Sequence, residues 1–227
     1  MNILMLVVLL LICVFSIPLI YNLFDLLGLK ILFIINIIMM FITSFKNIEL
    51  INLNISLSSI FILPLTALLI ISSYKIKAKD LKSNIKQILF IITFIIIEII
   101  LLSMYQHSVN DTTTSNVINI LLYNYKTIII FPIVLLITMY GTIKCYQYIK
   151  KIENNIFIDF VITSICIGIL DTVLYTILVN INVLSINDIL KLALSNYLIR
   201  IVLSIIYVPV INYILKRKKE QIWTCFC

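Results

Sequence analysis

DFVITSICIGILDTVLYTILV, residues Asp159–Val179, and LALSNYLIRIVLSIIYVPVINYIL, residues Leu192–Leu215, decide how this chain is read. Each is a nearly unbroken apolar run of about 20 residues or more, long enough as a helix to cross the hydrocarbon of a bilayer. Each also carries a charge in its interior, Asp171 in the first and Arg200 in the second. On insertion scales a charge at the centre of a membrane helix costs roughly 2.5–3.5 kcal/mol, so both side chains are expected to face inward and find partners.

Five more apolar runs precede these two, at about Ile3–Phe24, Ile31–Phe45, Ser58–Tyr74, Gln87–Met104 and Thr127–Tyr148. The second is short, and an extension into Lys46–Ser56 would complete it. Ile3–Phe24 has no basic stretch before it and no small-x-small site after it, so it reads as a retained helix rather than a signal peptide. Pro64, Pro132 and Pro209 lie inside spans, where neighbouring helices can satisfy the backbone groups that proline frees. The pattern predicts an all-α fold, a polytopic membrane bundle of about seven transmembrane helices.

Composition agrees. The 227 residues are 63% hydrophobic and only 12% charged, with three glycines, and the mean hydropathy is +1.19. A soluble domain keeps about a quarter of its residues charged. The net charge of +7 does not point to nucleic acid, because the basic residues flank the apolar spans. With the Lys75–Lys86 loop placed in the cytoplasm and the spans alternating, thirteen of the 17 Lys and Arg fall inside: Lys30, the lysines of that loop, Lys144, Lys150, Lys151 and Lys216–Lys219 with Arg217. Lys46, Lys126 and Lys191 fall outside. This asymmetry predicts a multi-pass protein of the cell (inner) membrane with an external N-terminus and a cytoplasmic C-terminus. The Lys75–Lys86 stretch could also bind anionic lipid or a partner, but its role as a solvated topogenic loop already explains it.

Apart from Asp171 and Arg200, Glu98 is the remaining ionisable residue within a span. At about 1.5 Å per residue all three lie roughly 9–12 Å below the outer surface, which suggests one polar site. Asp171, Thr172, Tyr175 and Thr176 share a helical stripe. Asn196 and Arg200 are four apart, and Tyr197 and Ser204 extend their side. Two such stripes face to face would make a cavity with an Asp–Arg pair at its floor. The bland alternatives are a buried pair that only fixes packing, or an Arg200 that snorkels. The surplus of hydroxyl, amide and phenol groups favours a substrate or gating role.

His107, beside Asp111 in the segment Tyr105–Tyr125, lacks convergent partners and reads as a loop histidine. The five cysteines (Cys13, Cys145, Cys166, Cys225, Cys227) form no CxxC or Cys/His ligand spacing, so neither zinc nor a disulfide framework is expected. The terminal Cys-Phe-Cys reads as a dispensable tail, with lipidation as the alternative. HExxH, GxSxG, the paired glutamates of intramembrane prenyl-protein proteases and a Walker motif are all missing from the sequence. An enzyme is therefore not expected, nor a cofactor, and any coupling to ATP would come from another subunit.

Several stretches resemble the queuosine-precursor transporter family, also described as vitamin uptake transporters. Ile169-Leu170-Asp171-Thr172 is similar to the family's apolar–Asp–Ser/Thr segment. Leu194-Ser195-Asn196-Tyr197-Leu198-Ile199-Arg200 resembles its polar pair and Tyr before a basic residue. Val208-Pro209-Val210 and Lys216–Lys219 follow at the family's distance, and Leu63-Pro64-Leu65-Thr66 looks like its second-helix Pro-Leu-Thr. The family's Asp and Glu after that motif are Ile71 and Lys75 here, with no Tyr-Gly following, so that acidic pair does not carry over. The resemblance covers residues 29–218 as a six-helix domain, makes residues 1–28 an added N-terminal helix, and leaves 219–227 as a cytoplasmic tail. It implies import of a deazaguanine or similar small heterocycle, with Asp171, Asn196 and Arg200 at the site. Asp171 or Glu98 would accept the ring's paired N–H groups, Tyr175 or Tyr197 would stack on it, and Thr172 would line it. Partners would then be the solute and the lipid bilayer. An energising subunit or a homo-oligomer stays open, as does a non-transporting interaction protein.

Overall fold

The structure is a computed structural model and describes residues 2–50, 53–75, 125–152 and 155–216, with single positions and short pieces between 86 and 101. His107 and its segment, most of the Gln87–Met104 span, the Lys77–Lys82 lysines and the tail with Cys225 and Cys227 lie outside the described residues.

The described chain is a bundle of helices with one small hairpin: α1 (Asn2–Thr43), β1 (Asn47–Leu50), β2 (Leu53–Ser56), α2 (Ser59–Lys75), α3 (Tyr125–Ile152), α4 (Ile156–Asn180) and α5 (Ile186–Lys216). Four helices, α1, α3, α4 and α5, are long and apolar enough to cross a membrane, and α2 is apolar but shorter.

α1 is not straight. Asp25 has φ 49° and ψ −136°, outside the helical region. A Cβ on Gly28 would lie 2.7 Å from the carbonyl oxygen of Ile20, whereas residues eight apart in a continuous helix are about 12 Å apart. The chain therefore folds back at Asp25, and Gly28 permits the close approach because it has no side chain. The break falls between the apolar runs Ile3–Phe24 and Ile31–Phe45.

After α1 the chain does not extend its helix through Lys46–Ser56. It forms an antiparallel hairpin instead, with Asn47 opposite Ser56 and Leu50 opposite Leu53. The reason is local. Asn47-Ile48-Glu49-Leu50 and Leu53-Asn54-Ile55-Ser56 each alternate polar and apolar residues, a period of two that suits a strand and not a helix. The backbone N–H of Leu57 donates to the Lys46 carbonyl at 2.9 Å and closes the hairpin's base.

α2 occupies the centre. Every residue from 60 to 71 is buried, as expected of a helix apolar on all sides, and it packs against α1, α3, α4 and α5. α3, α4 and α5 pack in sequence around it, α4 lying between the other two. Asn155 caps α4, its side chain accepting from the Phe157 N–H at 3.1 Å. Ser185 caps α5 through Asp188: the Asp188 N–H donates to Ser185 Oγ, and that hydroxyl donates to the Asp188 carboxylate. Lys126 Nζ donates to the Ile181 carbonyl at 2.9 Å, setting the start of α3 beside the end of α4. At the opposite end, Asn22 and Tyr213 lie within hydrogen-bond distance and place the Asp25 break beside the end of α5.

The outer surface is far more apolar than that of a water-soluble protein. Phe15, Leu23, Ile133, Ile169, Val202 and Ile205 are among the many large apolar residues on the outside. Thr138, Thr142, Asp171, Thr172, Asn196 and Arg200 are buried. A surface so continuously apolar is not tolerated in water, while lipid leaves it at no cost. This is a membrane helix bundle.

Candidate functional site: a buried ion pair between three helices

The site lies where α3, α4 and α5 meet. Arg200, on α5, is 1% exposed and Asp171, on α4, is 7% exposed. Arg200 Nη1 donates to Asp171 Oδ2 at 3.0 Å. Thr138, from α3, is placed with its hydroxyl 2.9 Å from Asp171 Oδ1 and 2.8 Å from the Val134 carbonyl of its own helix. One hydroxyl proton serves either acceptor, so Thr138 can hold the carboxylate or release it without losing a hydrogen bond. Three helices thus contribute one polar group each to a single centre.

The geometry depends on Gly168, one turn before Asp171 on α4. A Cβ built there would meet Arg200 Cδ at 3.0 Å, Arg200 Nε at 3.2 Å and the Tyr197 ring at 3.2 Å. Arg200 and Tyr197 therefore rest directly on the glycine backbone. Thr172 donates to the Gly168 carbonyl at 2.6 Å, so its hydroxyl is engaged within its own helix rather than offered to a ligand.

Two of the guanidinium's nitrogens, Nε and Nη2, are buried and have no hydrogen-bond partner among the described residues. Buried donors left unpaired normally cost about 1–3 kcal/mol each, more when charged. Burial of both ions is offset by their attraction, and removal of either partner alone leaves an uncompensated charge in an apolar surround.

The other expected site residues fall in two groups. Asn196 lies one turn from Arg200 on the same face of α5, but its side-chain oxygen accepts from the Ser56 N–H at 3.0 Å and holds the end of the hairpin. Tyr175 packs edge-on against Phe131, with centroids 6.5 Å apart, and its buried hydroxyl has no hydrogen-bond partner among the described residues. Both residues are nearer the hairpin end of the bundle than the ion pair. Glu98 departs from expectation: its helical position is exposed, with no hydrogen bond or ion pair to Asp171 or Arg200. Counting residues along an apolar run estimates depth, but it cannot say toward which side a residue turns.

Thr138 and Gly168 are the participants that the sequence reading missed. Thr138 and Thr142 are four apart on α3 and both buried, which makes a small polar stripe on an apolar helix. Gly168 is one of only three glycines in the chain. Among the described residues no group of three or more His, Cys, Asp or Glu is placed to hold a metal. No family model matches this chain, and neither a curated protein nor a solved structure does.

Proposed function

We propose that this chain is a membrane transporter that carries a small, flat, polar solute through the centre of its bundle by alternating access. The observation that carries the reading is the Asp171–Arg200 pair, built from two helices and steadied by a third, with two buried guanidinium nitrogens that have no hydrogen-bond partner among the described residues. A purely structural pair gains nothing from unpaired donors, whereas a solute site needs them. The solute that the family resemblance implies is a queuosine precursor or a similar heterocycle. In this reading there are seven spans: the two arms of α1, α2, the segment around residues 86–101, α3, α4 and α5. The hairpin then faces outward, and Lys75, Lys150, Lys151 and Lys216 face the cytoplasm.

The test is rescue of queuosine in tRNA, in cells lacking both precursor synthesis and their own importer. Expression of the chain restores the modified nucleoside and the Asp171→Asn variant does not. No rescue by the wild type removes the queuosine precursor as solute. Uptake by the isolated protein in vesicles separates a self-sufficient carrier from the substrate-binding subunit of an energy-coupled vitamin importer.

One observation favours a second reading, a non-transporting interaction protein. Arg200 is sealed from solvent, as suits a pair that only fixes helix packing. Exchanging the charges, Asp171→Arg with Arg200→Asp, discriminates, since a structural pair tolerates the swap and a solute site does not.

A further inference from the structure

We infer that the solute is a flat monocarboxylate, held by the Nε–Nη2 edge of Arg200. The inference rests on the transport reading and names the chemistry of the same site. A guanidinium presents three edges. Asp171 takes only the Nη1 corner, through a single oxygen. The Nε and Nη2 N–H groups are the fork that matches two coplanar oxygens of a carboxylate, and both are buried without partners among the described residues. Tyr197 and Arg200 Nε border the same point on Gly168, each 3.2 Å from where a Cβ would stand. A carboxylate on the fork would thus carry its ring along Tyr197.

In the present conformation this edge is closed against α4, where a Cβ on Gly168 would stand 3.2 Å from Nε and 3.0 Å from Cδ. Access needs α4 and α5 to part, the motion that alternating access requires. A deazaguanine offers mainly donors to Asp171 and leaves the fork short of acceptors, so the geometry departs from the solute that the family resemblance implies. The entering carboxylate also competes with Asp171 for one guanidinium, which makes Asp171 a restraint on affinity as well as a partner.

The full chain, purified in detergent, is titrated with benzoate and with benzamide, which is isosteric but uncharged, and binding is followed by calorimetry. Benzoate is expected to bind at least about tenfold more tightly than benzamide, as the charged hydrogen-bond pair requires. Arg200→Lys keeps the charge and loses the fork, so it weakens benzoate about tenfold. Asp171→Asn removes the competing anion and tightens benzoate severalfold. Equal binding of benzoate and benzamide, no binding of either, or an unchanged affinity in Arg200→Lys overturns the inference. If Arg200→Lys does not fold, the benzoate-to-benzamide ratio and the direction of the Asp171→Asn change decide it. Labelled benzoate in proteoliposomes separates the two levels. Binding without uptake sinks the transport reading alone, and uptake of a neutral heterocycle without benzoate binding sinks the carboxylate alone.

Discussion

Asp171 and Arg200 hold each other in a place where neither could stay alone. Replacing one of them, as in Asp171→Leu or Arg200→Met, leaves an uncompensated buried charge and is expected to destabilise the bundle by about 3–5 kcal/mol. The double variant removes both charges and is expected to recover most of that loss and, under the proposed transport function, to abolish uptake. Thermal unfolding in detergent, alongside uptake in vesicles, reads both. A double variant as unstable as the singles would mean that the pair is not the unit described. Gly168→Ala is a milder probe. Its Cβ would press Arg200 Cδ at 3.0 Å, an overpacking expected to cost about 1–3 kcal/mol and to shift the guanidinium. Asp171 and Arg200 were legible in the sequence because a charge in an apolar run is expensive and so advertises itself. Thr138 was not, because its hydroxyl can always return to a carbonyl of its own helix and carries no such penalty. Glu98 was misplaced because a charge count along a run gives height without azimuth.

At the level of elements, two features hold the frame of the site. The first is the reversal at Asp25. A φ of 49° with ψ −136° is sparsely populated for any residue with a Cβ and costs on the order of 1–3 kcal/mol. Asp25→Gly relieves the strain and is expected to raise the unfolding midpoint. A lowered midpoint would mean that the Asp25 side chain contributes more than its backbone costs. The second feature is the bond from the Ser56 N–H to Asn196. It fastens the hairpin to α5 one turn from Arg200. Asn196→Ala leaves a buried N–H without its acceptor, a loss of about 1–3 kcal/mol. Amide exchange at Ser56 should then quicken, with the α5 backbone unaffected, whereas unchanged exchange would detach the hairpin from this role. The long helices were legible because length and hydropathy suffice to mark them. The hairpin was not: its strands are four residues each, and beside an apolar span they looked like the span's own continuation.

For the whole molecule, the question is which end of the bundle faces which side. Hydrogen bonds within the fold sort the elements into two ends. Lys126 with Ile181 and Ser56 with Asn196 bring the start of α3, the end of α4 and the hairpin to one end. Asn22 with Tyr213 brings the Asp25 reversal and the end of α5 to the other. The lysines divide in the same way: Lys150, Lys151 and Lys216 close helices at the second end, while Lys46 and Lys126 lie at the first. The positive-inside bias acts on residues near span ends, so the second end is expected in the cytoplasm. A chain with its five cysteines replaced by serine and a single cysteine placed at Asn182, in the exposed turn between α4 and α5, should react with an impermeant maleimide on intact cells. A single cysteine at Lys151 should react only after the membrane is opened. The reverse pattern would keep the bundle and invert its orientation, turning the hairpin end toward the cytoplasm. Labelling of both positions on intact cells would be worse for the reading, since it would deny that α3 and α4 cross the membrane between their two ends. The crossing is expected from the charge division and from the length and apolar surface of the helices.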